Sequence, residues 1–463
     1  MKPRTLLILL VLVLGLGAFI GFYERKLPSS EERAELQKKV VKVEKDDVTA
    51  IAIDAPKGKV RLERVGTPKP EATTAEWRMV APLATGADAF AVDRLLESVV
   101  SLERTRTLEE VDPRDVGLDK PRATVRLKTK DGETVLQLGA EVPTGGSLIA
   151  GLQGEEDAYV VPDSILADVD RQPGEWRDRV MFRGDREAIQ RITLAAAGAA
   201  GGPVVLVKRP NGFWLERPFS DRADRDLVND LLSDLTGLTA ERFMDGSQPL
   251  AELGLASPHD IVEVAFQGTR PPVRIELGAP VTGAAAPEGQ TSGELTYARE
   301  GDTVFQVRTR LAEAVRRAPA DWRALQLSAL EVHDVESATV KDDRTALQLT
   351  RSGTDWKRGD TLISYLPVSD LLFAVTGARA SRLLTPQESR ALHAGLAKPL
   401  FTFTLRSKEM GEETVILYPP LPEGVPARAS GRQAVLLLPA DALQEIQKKV
   451  EGVRTAKAAT PAK

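Results

Sequence analysis

The chain has 463 residues, of which 42% are hydrophobic and 28% are charged, with a net charge of −5 and no cysteine. This length suits about three domains of ~150 residues each, and the composition is that of an ordinary globular protein. A nucleic-acid-binding protein is expected to have a basic excess, so nucleic acid is a poor candidate partner. The lack of cysteine excludes disulfides, thiolate metal sites, a cysteine nucleophile and an acylated lipoprotein anchor.

The N-terminal segment predicts a membrane anchor. Residues 5–23 carry no charge, and at ~1.5 Å per residue a helix there would span about 28 Å, close to the ~30 Å hydrocarbon layer. Lys2 and Arg4 precede it and favour a cytoplasmic N-terminus with the bulk of the chain exported. The alternative is a cleaved signal peptide, but its apolar run would be shorter, and the small pair Gly17-Ala18 lies inside the run.

The segments at the two ends of the exported part are polar. We expect residues 1–23 to form a cytoplasmic tip and an uncleaved transmembrane anchor, and residues 24–47 to form a charged stalk. Ser29 and Glu32 have the spacing of a helix capping box within that stalk. Residues 455–463 are small and polar and predict a disordered tail.

The most informative feature is a module that recurs three times in the same order. Each copy has an opening strand, a second strand with an arginine, a tryptophan, a helix with apolar residues at i, i+3, i+4 and i+7, a further arginine and a Gly-Leu-x-x-Pro turn. The second-strand arginines are Arg64, Arg209 and Arg351, and the tryptophans that follow are Trp77, Trp214 and Trp356. The helix stripes are Val92, Leu95, Leu96 and Val99; Val228, Leu231, Leu232 and Leu235; and Val368, Leu371, Leu372 and Val375. The later arginines are Arg106, Arg242 and Arg382, the turns begin at Gly117, Gly254 and Gly395, and two modules share a further tryptophan, Trp176 and Trp322.

These marks predict an α+β fold with three tandem copies of a β-β-α-β-β-β-α module, in which helices pack on antiparallel sheets. The predicted modules cover residues 48–184, 185–327 and 328–454. The pairs Gly139-Ala140 and Gly278-Ala279 are expected to close matching strands.

The repeat also weighs against catalysis, because a residue found in the same position of every module is most simply part of a shared scaffold. We therefore expect the five tryptophans to pack in the core and not to line a sugar-binding groove, and the recurring arginines to hold carbonyls or carboxylates and not an anionic polymer. His259, His333 and His393 share no position and have no ligand spacing. Acidic groups occur at Glu109, Glu110 and Asp112, at Glu155, Glu156 and Asp157, and at Asp342 and Asp343, and paired carboxylates can hydrolyse glycosides or bind calcium. The second and third groups lie where hairpin turns are expected, and charged turns are usually solvated, so we expect no catalytic or metal-binding role for them. No nucleophile elbow, phosphate loop or dinucleotide fingerprint is present. The sequence thus predicts no catalytic residue, no cofactor and no metal.

The stretch from WRMVAPLATGADAFAVDRLLESVV through VGLDKPRATVRLKTKDGETVLQLGAEVPTGGSLIAGL to AYVVPDSILADV resembles the bacterial domain of unknown function 4340 family. The resemblance runs through residues 46–182, and the second and third modules are similar to more diverged copies. Typical members have a tyrosine pair where this chain has Ser147, Leu148 and Ile149. The resemblance implies a bacterial protein with an N-terminal anchor, of a kind commonly encoded beside an ABC-type export permease, its ATPase and a gliding-type auxiliary subunit, which would make it an extracytoplasmic accessory or scaffold of such a machine.

The leading expectation is therefore a non-enzymatic, extracytoplasmic accessory or scaffold subunit of an ABC transporter-like complex at the bacterial inner membrane. One alternative is a stand-alone protein that binds cell wall or polysaccharide, with tryptophans or arginines of one position exposed in a row. Another is an envelope hydrolase with two carboxylates facing each other across a cleft.

Overall fold

The computed structural model describes residues 38–66, 76–198, 201–246, 248–257, 260–282, 294–344, 346–392 and 395–458. The predicted anchor, the capping box of the stalk, His259 and His393 lie outside these residues. Among the residues described, no helix is long and apolar enough to cross a membrane. The chain forms two compact units, the first ending at Arg179 and the second beginning at Val180.

The first module is a nine-stranded antiparallel sheet with the order β4-β3-β2-β1-β6-β7-β8-β9-β5. Its strands are β1 (Ala50–Ala55), β2 (Gly58–Arg64), β3 (Trp77–Ala81), β4 (Thr85–Gly86), β5 (Arg106–Leu108), β6 (Ala123–Lys128), β7 (Glu133–Glu141), β8 (Ser147–Leu152) and β9 (Ala158–Pro162). Its helices are α1 (Ala89–Val100) and α2 (Ile165–Val169), with 3-10 turns at Lys45–Asp47 and Pro173–Trp176.

The second module repeats this sheet in the order β13-β12-β11-β10-β15-β16-β17-β18-β14. Its strands are β10 (Ile189–Ala195), β11 (Val204–Arg209), β12 (Gly212–Arg217), β13 (Asp221–Arg222), β14 (Arg242–Phe243), β15 (Asp260–Phe266), β16 (Val273–Pro280), β17 (Leu295–Glu300) and β18 (Thr303–Arg308). Its helices are α3 (Arg225–Thr236) and α4 (Arg310–Arg316), with 3-10 turns at Arg186–Ala188 and Pro319–Trp322.

The third module has the same strand order, β22-β21-β20-β19-β24-β25-β26-β27-β23. Its strands are β19 (Ser337–Lys341), β20 (Leu347–Ser352), β21 (Asp355–Arg358), β22 (Thr361–Ile363), β23 (Arg382–Leu383), β24 (Phe401–Ser407), β25 (Gly411–Leu417), β26 (Val425–Ala429) and β27 (Leu436–Leu438). Its helices are α5 (Tyr365–Thr376), α6 (Pro386–Ala391) and α7 (Ala442–Thr455), with 3-10 turns at Val332–Asp334 and Gly395–Ala397.

The mixed α+β architecture, the antiparallel sheets and the threefold repeat are confirmed, but the strand count of the predicted module is wrong. Each sheet has nine strands, four more than the five predicted. The first tryptophan lies in an additional strand (β3, β12, β21), a short strand precedes the helix (β4, β13, β22), the recurring arginine begins an edge strand (β5, β14, β23), and a further strand (β8, β17, β26) precedes the last strand of the sheet in chain order. The strands that precede the helix or begin at the recurring arginine have only two or three residues, which is too short for an alternation of apolar and polar residues to be recognised.

The central helix of each module packs one apolar stripe into the core, as the spacing predicts. In α1 the carboxylate of Asp88 accepts hydrogen bonds from the backbone N–H groups of Phe90 and Ala91, which fixes the start of the helix. Val92, Leu95, Leu96 and Val99 are all buried, as are the equivalent residues of α3 and α5. Burying each such side chain contributes about 1.5–3 kcal/mol.

The Gly-Leu-x-x-Pro turn and the Gly-Ala pair belong to one packing arrangement. Gly117 has a φ of +71°, and Ala140 N–H donates to Val116 O at 3.0 Å. A Cβ on Gly139 would lie 2.5 Å from Val116 O, so only glycine lets the turn approach β7 this closely. The pair therefore lies within β7 and does not close it, and the prediction that it ends a strand is wrong.

The ends of the modules differ slightly from the predicted boundaries. The first compact unit ends at Arg179, a few residues before the predicted boundary at 184. Helix α7 continues to Thr455, and Ala458 forms a β-bridge with Ile363. The ordered part of the third module thus extends into the segment predicted as a tail, and residues 459–463 lie outside the described residues.

Candidate functional site

The five tryptophans are buried, as predicted, so they cannot form a stacking platform for sugars. Trp77, Trp214 and Trp356 follow the second strand of each module, while Trp176 and Trp322 lie in the 3-10 turns after α2 and α4. The guanidinium carbons of Arg64 and Arg209 lie 5.2 and 4.6 Å from the ring centroids of Trp77 and Trp214. In the first two modules, the recurring arginine of the second strand and the recurring tryptophan therefore form a cation–π contact.

The later recurring arginines do not all behave alike. Arg106 and Arg242 begin edge strands and are exposed. The guanidinium of Arg382 contacts Glu388 at 2.9 Å and Glu423 at 2.7 Å, which is the carboxylate-holding role expected for this position. Among the described residues, the predicted carboxylate contact is therefore present in the third module and not in the first two.

A short segment joins the second module to the third. Arg323 forms a β-bridge with Ala223 in the second module, and Gln326 forms a β-bridge with Arg379 in the third. The N–H of Leu327 donates to Ala378 O at 2.8 Å. The backbone between the two sheets is therefore hydrogen-bonded on both sides.

A buried carboxylate of the second module is held by an arginine of the third. Asp221 is 0% exposed, and its oxygens accept hydrogen bonds from Arg432 Nε at 2.6 Å and Arg323 Nε at 2.7 Å. Burial alone would raise the pKa of Asp221, but the hydrogen bonds and charges of Arg432 and Arg323 outweigh it, so this pKa is lowered. Asp221 is therefore an ionised, buried link between the two modules.

A second buried pair lies beside the first. Arg222 NH1 is 3.3 Å from Glu413 Oε1, and the Glu413 carboxylate also accepts from the Ser328 hydroxyl and from Ala329 N–H. Burial, followed by repulsion from Arg432, lowers the pKa of Arg222 to about 10. Arg222 remains charged at neutral pH and needs Glu413 as its partner, since removing one member of a buried pair leaves the other uncompensated.

This junction borders a cavity of about 370 Å³. Its walls include polar groups of Arg222, Gln326 and Ser328 and apolar groups of Phe213 and Val228. The side-chain oxygen of Gln326 is buried and has no hydrogen-bond partner among the described residues. The volume falls within the range of small-molecule sites, and the free oxygen could accept a hydrogen bond from a bound molecule.

Sequence reasoning missed this junction, although one signal for it was present. Counted from the first residue of the central helix, Asp221 and Arg222 occupy positions held by Thr85 and Gly86 in the first module. Within a repeat, a residue with a specific function is expected to occur in one module and to be absent from the equivalent positions of the others, as this charged pair is. Its observed role is to connect the second module to the third.

A second cavity, of about 570 Å³, lies in the first module and brings together two acidic groups that are far apart in the sequence. Glu110 and Asp112 contribute one side, and Glu155, Glu156 and Asp157 contribute the other. They meet because β5 pairs with β9, so the residues after Leu108 lie next to those before Ala158.

One of the acidic turns is not solvated. Asp342 was expected to be a solvated turn residue, but its carboxylate is 8% exposed and lies 2.8 Å from Arg454 NH2, so that expectation is wrong. His333 lies in a 3-10 turn, with its side chain 74% exposed. Within the described part of the chain, no group of three or more histidine or acidic residues could hold a metal ion.

Comparison with known families gives a match over most of the chain. The family described as Domain of unknown function (DUF4340) matches residues 77–258 and again residues 214–399. Both matches begin at the first tryptophan of a module and end at the proline of the Gly-Leu-x-x-Pro turn in the next, which confirms the register of the repeat. No curated protein matches the chain.

Proposed function

Because the chain belongs to the Domain of unknown function (DUF4340) family, we propose that it is a non-enzymatic, extracytoplasmic scaffold subunit of an ABC transporter-like complex in the bacterial inner membrane. The observation that carries this proposal is the buried charge network between the second and third modules. The charged side chains of this network hold the two sheets in one orientation; they are Asp221, Arg222, Glu413 and Arg432. A fixed multi-module body is what a scaffold requires.

The burial of the recurring tryptophans supports the same proposal. The indole N–H groups of Trp176, Trp322 and Trp356 are buried without a hydrogen-bond partner among the described residues. An indole that recognised a ligand would present this group to solvent or to a polar partner. These tryptophans pack in the core, so any binding to another molecule would use the surface residues of the modules.

The membrane orientation can be tested because the chain has no cysteine, so one introduced thiol reports one position. Gln444 is exposed on α7, and a Q444C variant of the full chain should react with a membrane-impermeant maleimide in intact spheroplasts. A K2C variant should react only after lysis, because we place the N-terminus in the cytoplasm. The reverse labelling pattern would contradict the orientation.

The partnership is tested by co-purification. The tagged full chain, solubilised in detergent from its native membrane, should recover an ABC-type permease and the gliding-type auxiliary subunit in quantitative mass spectrometry. A matched control carries residues 1–47 fused to an unrelated exported domain, so that recovery through the anchor is subtracted. Recovery of neither subunit overturns the proposal, and tight binding of the full chain to purified cell wall in that case favours the stand-alone binder.

A carboxylate-dependent envelope hydrolase is the second candidate, favoured by the acidic cavity of the first module. Carboxylates on opposite sides of a cleft are the groups that glycoside hydrolysis needs. The full chain would release reducing sugars from cell-wall glycan, and an E110Q/E155Q variant would lose this activity while E133Q, an exposed acid of the same module, would keep it. Absence of release by the unmodified chain rejects this candidate.

A further inference from the structure

The cavity of about 370 Å³ beside the buried charge network has both an apolar and a polar lining. Its apolar side chains are Phe213, Val228 and Leu232 of the second module. Gln326 of the connecting segment and Thr376 at the end of α5 add polar groups. A volume of this size, with a few polar groups in an otherwise apolar lining, is typical of a small-molecule site.

The segment that leads into the third module has a small side chain where the equivalent segment of the second module has an aromatic one. Counted from the tryptophan of the preceding 3-10 turn, Ser328 corresponds to Phe182. Phe182 is 2% exposed and packs against Phe266, with 5.9 Å between the ring centroids. Ser328 lines the cavity. A hydroxyl group at this position leaves volume that a phenyl ring would fill.

The amide of Gln326 does not hold the modules together. Its oxygen is buried without a hydrogen-bond partner, and its NH2 group likewise has no hydrogen bond to a described residue. The backbone of Gln326 is fixed, because its carbonyl oxygen accepts hydrogen bonds from Arg222 and Arg432. Since no hydrogen bond holds the amide, it can turn either its oxygen or its NH2 group toward a bound molecule.

Arg222 lies next to Gln326 at the wall of the cavity and has unused donors. Its guanidinium donates to Glu413 and to the Gln326 carbonyl oxygen, and a guanidinium has further N–H groups beyond these two. The side chain of Arg222 is 6% exposed and lines the cavity. An acceptor group placed in the cavity can therefore contact both Arg222 and the amide of Gln326.

The charge of the network favours an anion at this wall. Three guanidinium groups, of Arg222, Arg323 and Arg432, meet two carboxylates, of Asp221 and Glu413, so one positive charge is in excess. Burial and then repulsion from Arg432 lower the pKa of Arg222 to about 10, so its charge is incompletely compensated. A negative group beside Arg222 would offset this repulsion.

The other charged side chains at the wall balance one another. Each positive group among them is matched by a negative one: Lys208 lies 2.9 Å from Glu187, Arg225 is paired with Glu331, and Arg186 and Asp226 carry single opposite charges. The excess charge of the network is therefore not cancelled by the rest of the lining.

We propose that this cavity binds a small amphipathic carboxylate. The carboxylate accepts hydrogen bonds from Arg222 and from the NH2 group of Gln326, and the apolar part of the molecule packs against Phe213, Val228 and Leu232. A ligand at this place contacts both modules, since Thr376 belongs to the third and Phe213 to the second. This binding site is a function beyond the proposed scaffold role.

The first test compares three probes by isothermal titration of the full chain in detergent at pH 7, with the heat of micelles alone subtracted. Phenylacetate should bind with one molecule per chain. Phenylacetamide has the same shape without the charge, and acetate has the charge without the ring, so each should bind about tenfold more weakly or worse. A chain that does not bind phenylacetate, or that binds phenylacetamide equally well, overturns the proposal.

The second test removes the amide of Gln326. Q326L should weaken phenylacetate binding about tenfold, because a hydrogen bond to a charged group is lost. Q348L is the matched control, since Gln348 is exposed on β20 and does not line the cavity, and it should bind as the unmodified chain does. Unchanged protection of Leu327 N–H in hydrogen exchange verifies that the junction is intact in Q326L. Equal binding by Q326L and Q348L contradicts the assigned contact.

The third test uses the absence of native cysteine to locate the probe. Bound phenylacetate should slow the alkylation of T376C by iodoacetamide, because Thr376 lines the cavity. Thr236 occupies the same helix position in α3 but does not line the cavity, so T236C should react at an unchanged rate. Protection of both thiols or of neither places the probe elsewhere and overturns the proposal. The scaffold role would survive that result, because the co-purification that tests it does not depend on this cavity.

Discussion

Replacing Arg432 by methionine tests whether the buried charges hold the second and third modules together. Arg432 has a side chain that is 0% exposed, and it donates to Asp221 and to the backbone oxygens of Gln326 at 3.0 Å and Ala324 at 2.6 Å. Methionine has an unbranched side chain of similar length but carries no charge and no hydrogen-bond donor. The change therefore leaves a buried carboxylate and two carbonyl groups short of partners.

The magnitude follows from which partners remain. Breaking a buried ion pair by removing one member costs about 3–5 kcal/mol. Arg323 still donates to Asp221 at 2.7 Å, so we expect the lower value, about 3 kcal/mol, for R432M. A D221L/R432M double variant should recover part of that loss, because the buried carboxylate is removed together with Arg432, and the Arg323 side chain that loses its partner is 19% exposed. R406M is the control, since Arg406 has a 69% exposed side chain paired with Glu412 and should cost about 0–1 kcal/mol.

Hydrogen exchange gives the appropriate assay because it reports local opening in a multi-module chain. The N–H of Leu327 donates to Ala378 O, and the N–H of Ala324 donates to Arg222 O. Exchange at these groups should accelerate about 100-fold in R432M, as every ~1.4 kcal/mol is tenfold. Unchanged protection there, or a double variant that is weaker than R432M, would refute the reasoning.

Acid should loosen the same junction. The pKa of Asp221 is lowered in the folded chain from its ordinary value of 3.8. A group with a depressed folded pKa contributes stability above its unfolded pKa, and this stability is lost as the pH falls through the folded value. Protection of Leu327 N–H should therefore decrease below about pH 3.8, and the decrease should be smaller in D221L/R432M. An equal pH dependence in both chains would show that Asp221 is not responsible.

Two further predictions concern the first module. G139A should lower thermal stability by about 1–3 kcal/mol because its Cβ would lie 2.5 Å from Val116 O, whereas G174A, with no atom within 4 Å, should change it little; equal effects would contradict the packing argument. The pKa of Tyr159 is raised to about 12, first by burial and then by its hydrogen bond to Glu155. E155Q should lower that pKa toward 10.0, as followed by ultraviolet titration against a Y159F background, and an unchanged titration would show that burial alone sets it.

Much of the fold could be predicted because its strongest signals are local. The spacing of Val92, Leu95, Leu96 and Val99 fixes a helix within two turns of chain, and its repetition fixes the module. The short strand β4 has only two residues and carries no such pattern. Strands of this kind exist because a neighbouring strand offers hydrogen bonds, which is information about tertiary structure and not about local sequence.

The candidate site was harder to predict because its contacts join distant parts of the chain. Asp221 and Arg432 are 211 residues apart, and neither lies in a recognisable motif. The acidic groups at Glu110 and Glu155 likewise meet only because β5 pairs with β9. Hydrophobic periodicity does not predict such pairings. A charged residue such as Asp221, whose equivalents in the other modules are uncharged, can be found by comparing equivalent positions of the modules.

Comparison of equivalent positions among the modules therefore separates two kinds of residue. Those shared by all modules, such as Trp214, are buried and build the sheet. Those charged in one module, such as Asp221, join that module to the next. An exposed apolar residue does not distinguish one module from another, because Phe90 of the first module and Leu366 of the third occupy the same helix position and are both exposed. A junction within a repeated scaffold is therefore marked by a buried charge confined to one module, since a buried charge requires a fixed partner.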